Sequence, residues 1–191
     1  MRRRLPHRII ACCLAVALSV ALAACGSGKH PYDATAENNG YYVKLDGISY
    51  QLQISRELNQ YAVEDHQYLA GLAAGTTAPS ATQLWYGVFL WAKNDTKHSV
   101  ATADNFYITD TQNNVYRPVT VNPQINQYAW VAETLAPLGT EPAPDTTASF
   151  GPTQGGLVLF KLPVAVYNNR PLTLHIVSPS GGRDATISLD L

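Results

Sequence analysis

The chain has 191 residues, 46% of them hydrophobic and 14% charged, with a formal net charge of −1. That balance suits a globular chain with a sizeable core, and it excludes a disordered polypeptide and a strongly basic nucleic-acid binder. Three cysteines and one methionine leave little scope for a disulfide framework or a sulfur-rich copper site.

The first eight residues carry Arg2, Arg3, Arg4 and Arg8 and no acid, and residues 9–23 form an apolar run. A basic start, a short apolar core and small residues before a cut describe a secretory signal peptide. At roughly 15 residues the run falls short of the about 20 that a membrane-spanning helix needs. It ends in Leu22-Ala23-Ala24-Cys25, which resembles the lipobox of bacterial lipoproteins. The resemblance covers the first 25 residues. It implies removal of 1–24 and acylation of Cys25, with palmitate-type chains anchoring the protein on the extracytoplasmic face of the cell membrane. The alternative is an ordinary secretory signal with a chance cysteine beyond the cut.

Cleavage would remove those four arginines, leaving nine basic against fourteen acidic residues, a net −5. That argues against nucleic acid as a partner and against electrostatic adhesion to anionic lipid. Membrane affinity then comes from the acyl chains, each buried methylene contributing about 0.8 kcal/mol. Cys12 and Cys13 leave with the signal, so a mature chain acylated on Cys25 has no disulfide to form. Residues 26–39 are polar and aperiodic. With Cys25, they make 25–40 an expected flexible tether with a typical span of about 20 Å.

The folded domain is expected over 41–191. Ile48, Tyr50, Leu52 and Ile54 alternate with polar residues, as in a half-buried strand. Residues 56–80 read as an irregular or short-helical insert. Gly75 and Pro79 end any helix there. Residues 84–94 are the longest strand-forming run and predict a central strand covered on both faces. Two strands at 105–109 and 115–119 follow, joined by a turn from Asp110 to Asn114 that suits positive φ. A short strand at 128–131 and a Pro/Gly-rich loop at 133–146 lead to a strand at 155–163 stopped by Pro163. The last hairpin pairs Leu172, Leu174 and Ile176 with Ala185, Ile187 and Leu189. Short strands, frequent turns and no long amphipathic helix predict an all-β fold, an antiparallel immunoglobulin-like β-sandwich.

Asn94, the hairpin residues Asp110, Asn113, Asn114 and Tyr116, and Phe160 with Pro163 occur in the order of a known pattern. The chain here resembles the immunoglobulin-like lipoprotein domains of unknown function found in Gram-positive-type bacteria. The resemblance covers about two thirds of the mature chain. It brings no catalytic residues with it and implies a binding or accessory module.

Most chemical constellations fail. The four histidines of the mature chain, His30, His66, His98 and His175, show no paired ligand spacing, so no metal and no cofactor are expected. Glu64-Asp65-His66 is the single acid–histidine cluster, and solvated loop residues are the better reading of it. No Gly-x-Ser-x-Gly nucleophile motif occurs, and the chain is not expected to be an enzyme.

Aromatic residues remain. On the central strand Leu84, Tyr86, Val88, Leu90 and Ala92 share the face expected to enter the sandwich core, which turns Trp85, Phe89 and Trp91 outward. Packing of the 56–80 insert over them as a second core is the better reading; part of the trio staying open with Tyr68 as a binding patch is the alternative, and a swap of the two faces the third. Tyr41, Tyr42, Tyr61 and Tyr128 extend a Tyr-rich surface. The expected function is a lipid-anchored, non-catalytic binding or accessory module for an envelope protein complex. A solute- or glycan-binding lipoprotein serving a transporter is the alternative, and a hydrolase or metal enzyme the weakest reading.

Overall fold

The structure, a computed structural model, describes residues 35–36 and 42–189. The signal segment, Cys25, Tyr41 and most of the expected tether lie outside the described residues. The strands in chain order are β1 (Thr35–Ala36), β2 (Tyr42–Leu45), β3 (Ile48–Leu58), β4 (Gln83–Asn94), β5 (Val100–Ala101), β6 (Phe106–Thr109), β7 (Val115–Tyr116), β8 (Thr134–Leu135), β9 (Thr140–Glu141), β10 (Gly156–Pro163), β11 (Leu172–Ile176) and β12 (Ala185–Leu189). Two single-turn helices, α1 (Val63–His66) and α2 (Thr147–Phe150), and a 3-10 turn at Val164–Asn168 complete the set.

One sheet runs in the order β1-β12-β11-β6-β7 and the other in the order β10-β4-β3-β2, with β9 also on β4 and β5 paired with β8 apart. Apart from the parallel contact of β1 with β12, the strand pairs are antiparallel. The result is the expected antiparallel β-sandwich. Thr35 and Ala36 sit within the span read as tether, but they pair with Thr186 and Ile187. The β2–β3 hairpin turns through Asp46 and Gly47, both at positive φ, which is the turn chemistry an Asp-Gly pair supplies.

β4 is central as expected, held by β3 on one side and β10 on the other. Its Leu84, Tyr86, Val88, Leu90 and Ala92 enter the main core, where they meet Phe106, Ile108, Leu174, Ile176 and Ile187 from the opposite sheet. Each such fully buried side chain contributes about 1.5–3 kcal/mol before chain entropy is counted.

Ile54 does not share the face of Ile48, Tyr50 and Leu52, as the alternation had suggested. A β-bulge between Leu52 and Ile54 inserts Gln53 opposite β4, so Leu52 pairs with Leu90 and Ile54 with Phe89. One extra residue reverses the strand's phase. Beyond it, Ile54 and Leu58 point away from the main core and into a second one.

The strand expected at 115–119 is split between sheets. Val115–Tyr116 pairs with β6, and then Pro118 bridges Phe160 while the Val119 N–H donates to the Leu159 carbonyl at 2.7 Å. Pro118 lacks a donor for continued pairing, and the chain turns the corner to the free edge of β10. The strand expected at 128–131 reduces to one parallel bridge, Ala129 with Leu157. These segments cover an edge that would otherwise offer unpaired backbone groups to other chains.

Candidate functional site

The outward face of β4 is roofed. Trp85 is 2% exposed, and Phe89 and Tyr68 are as deeply buried. With Leu58, Tyr128, Ala148, Leu157 and Leu159 they form a second core on the far side of the β10-β4-β3-β2 sheet. Tyr68 stands edge-on to Phe89 at 5.1 Å and to Tyr128 at 4.8 Å. Tyr68, Trp85 and Phe89 are therefore not an open binding patch, because burying those rings contributes more than exposing them would. The insert supplies half of the cover through Tyr68, Leu69 and Leu72. The other half, which the sequence reading did not assign, comes from Val119, Val121, Tyr128 and Ala148. Tyr128 likewise leaves the proposed Tyr-rich surface, while Tyr42 and Tyr61 stay on it. Trp91 lies apart, opposite Gln51 and partly buried, and its indole nitrogen is shielded without a hydrogen-bond partner.

The acid–histidine cluster is built for structure. Asp65 is buried and takes Arg56 through both oxygens, together with the Asn59 N–H at 2.7 Å. Burial alone would raise its pKa, but these donors outweigh it and hold the carboxyl below its usual range. His66 is exposed and meets the Gln60 carbonyl at 3.0 Å, not Asp65. His175 stacks flat on Tyr107 at 4.2 Å and bonds Thr109 at 2.9 Å. Among the described residues no three His, Cys, Asp or Glu side chains converge as metal ligands.

The hairpin motif is also structural. Asp110 is buried and accepts from the Gln112 and Asn114 N–H groups, the Asn114 and Asn169 amides and the Tyr116 hydroxyl. Asn113 sits at φ 62° in that turn, as its residue type allows. The wholly buried Asn94 spends its amide on the carbonyls of His98, Leu135 and Ala136.

A cleft of about 390 Å³ opens where the insert leaves and rejoins the sheet. Its walls are the end of β3 (Glu57, Leu58), the loop Asn59 to Tyr61, the return at Pro79 to Ala81, the start of β4 (Gln83 to Trp85), and Val164 with Tyr167. Local bonds fix these walls. The Tyr167 hydroxyl donates to Glu57 Oε2 at 2.6 Å, and sharing that proton with a carboxylate raises the Tyr167 pKa. Asn59 Oδ1 accepts the Tyr61 N–H at 2.9 Å. On the other side, Lys161 donates to the Thr77 carbonyl and hydroxyl at 3.0 Å and lies over the Trp85 ring, pinning the return strap to β10.

Gln60 and Trp85 are shared with a second cavity of about 350 Å³, walled by His66, Leu69, Leu72, Thr76 and Ala78. Tyr61, 84% exposed, stands at the rim of the larger cleft. This arrangement can bind. Glu57 is the one charged group on the lining of the larger cleft, and His66 walls the second cavity. The sequence pointed to the insert and to Tyr61, but not to Glu57, Gln60 or Tyr167. Tyr167 sits in a 3-10 turn whose one buried residue is Val166, and no local pattern marks it.

No protein-family model and no curated protein matches the chain. Among solved structures it is similar to the yjhA protein from Bacillus subtilis, with 12% identity and a TM-score of 0.53 over 81% of this chain and 99% of that one. An uncharacterized beta-sandwich protein from Clostridium difficile aligns over 86% of this chain and 100% of its own, with 10% identity and a TM-score of 0.42. A conserved hypothetical protein from Bacillus anthracis aligns over 71% and 85%, with 7% identity and a TM-score of 0.43. At 12% identity, the likeness to the Bacillus subtilis protein shows a shared fold and nothing of activity.

Proposed function

We propose that the protein is a lipid-anchored, extracytoplasmic binding module without catalytic activity. The observation that carries this reading is the N-terminal order of arginines, apolar run and Leu22-Ala23-Ala24-Cys25. Cys25 receives the lipid, and a short polar tether keeps the sandwich near the membrane surface. The resemblance to immunoglobulin-like lipoprotein domains supports the same assignment. So does the use of Asp65, Asp110 and Asn94 in holding turns, which leaves binding, not chemistry, to the surface.

Of the two forms such a module takes, the cleft beside Trp85 favours the ligand binder over the accessory subunit, since it is concave and lined by Tyr, Trp and convergent polar groups. The accessory reading draws on Tyr61 and Val63, both strongly exposed on the insert. Photo-crosslinking from these two positions in cells separates the forms: one dominant envelope protein partner favours the subunit, and none favours the ligand binder.

Membrane fractionation of cells making the native chain and Cys25→Ala tests the anchor. Native protein partitions with membranes and the variant does not reach that fraction in acylated form. A native chain found wholly in the soluble fraction overturns the proposal.

A further inference from the structure

The cleft beside Trp85 holds polar groups that the fold does not use. Among the described residues, the Tyr61 hydroxyl, the Gln60 side-chain amide and the Trp85 indole N–H enter no hydrogen bond. Trp85 is almost wholly buried, and it lines both cavities.

The lining decides which ligand class fits. It contains no Lys, Arg or His, and Glu57 adds a negative charge, so phosphates and carboxylates find no counter-charge there. Glu57, the one carboxylate on the lining, already accepts the Tyr167 hydroxyl, which weakens its pull on an ammonium. A wholly apolar ligand would cover the half-buried Gln60 side-chain amide without giving it a partner. A neutral molecule with vicinal hydroxyls and an apolar C–H face meets all three conditions. Amides and a carboxylate pair with hydroxyls, and an aromatic rim packs on the C–H face. The cleft, at about 390 Å³, is at the small end of ligand pockets, with room for about one or two sugar rings.

We infer that this cleft binds neutral carbohydrate, with Gln60, Gln83 and Glu57 taking the hydroxyls, the Trp85 N–H donating from the floor and Tyr61 packing at the rim. The inference rests on the reading of the protein as a binding module and adds its ligand class.

The test is ligand-observed NMR with titration calorimetry on the full chain, purified in a detergent with no sugar headgroup. Maltose, cellobiose and diacetylchitobiose are the neutral probes, with tetramethylammonium and inorganic phosphate as charged ones. Saturable binding of at least one disaccharide is expected. It weakens by about tenfold in Tyr61→Ala and in Gln60→Ala, the loss that one good contact represents, with thermal unfolding unchanged. Failure of all three sugars, full affinity in both variants, or preference for a charged probe overturns the assignment. The membrane partitioning of the same preparations separates the two claims. Anchored protein that ignores sugars refutes the cleft alone, and unanchored protein that binds them refutes the anchor alone.

Discussion

The Arg56 guanidinium donates to both oxygens of Asp65, to Oδ1 at 2.6 Å and to Oδ2 at 3.2 Å, and so ties the first turn of the insert to the strand it leaves. Asp65 is buried, while Arg56 keeps about a third of its side chain in solvent. Arg56→Met keeps the apolar stem and leaves the carboxylate facing only the Asn59 N–H. The expected cost is about 2 kcal/mol, below that of a fully buried pair because solvent reaches the arginine. Urea unfolding measures it, and faster amide exchange over α1 locates it.

Tyr68 is the keystone of the second core, set between Phe89 and Tyr128. Tyr68→Ala is expected to cost about 3–5 kcal/mol, and Tyr68→Phe under about 1.5 kcal/mol since the ring packing survives. Because Trp85 lies in the same cluster, its fluorescence shifts to the red in the alanine variant. An unchanged spectrum would show that the roof does not depend on this ring.

Asp110 holds its hairpin as a carboxylate. Burial pushes its pKa up, but the donors from Asn114, Tyr116 and Asn169 push harder, so the folded protein holds it well below the usual 3.8. The stability it provides is complete above the unfolded value and is lost as pH falls through the folded one. In Asp110→Asn, an amide faces three donors, with an expected cost of about 2–3 kcal/mol at neutral pH. The variant's stability also falls less steeply than the native protein's below about pH 4. Thermal unfolding across that range gives both results.

Glu141 behaves in the opposite sense. Burial first, and then its hydrogen bond with Glu133, raise its pKa from the ordinary 4.5 to about 8. The folded state then holds a proton that the unfolded state has released, so stability declines as pH rises from about 4.5 to 8, by at most about 1.4 kcal/mol per unit. Glu141→Gln keeps a donor toward Glu133 without the charge. It is expected to match the native protein near pH 4, to exceed it at pH 8, and to flatten the slope between them.

Much of the sandwich is legible in local pattern because each β4 residue declares its side. Leu84, Tyr86, Val88, Leu90 and Ala92 enter one core, and Trp85 and Phe89 the other, as strict alternation requires. Ile54 escapes that logic, since a bulge depends on pairing that one strand's residues do not encode. Two-residue strands such as β8 and β9 are likewise set by their partners. The cover over Trp85 and Phe89 was legible in the insert, but its other half, Val119, Val121, Tyr128 and Ala148, is distant in sequence. The cleft was half legible. Its insert and Tyr61 stood out, whereas Glu57 and Tyr167 meet only through a contact spanning 110 residues.

Lipid at Cys25 is what would tether the proposed binding module. Mass spectrometry of the N-terminal peptide, from protein purified out of membranes, tests it most directly. The expected result is a mature chain that starts at Cys25 with a diacylglyceryl group on sulfur. A chain that retains Met1, or one whose Cys25 is a free thiol, would contradict it.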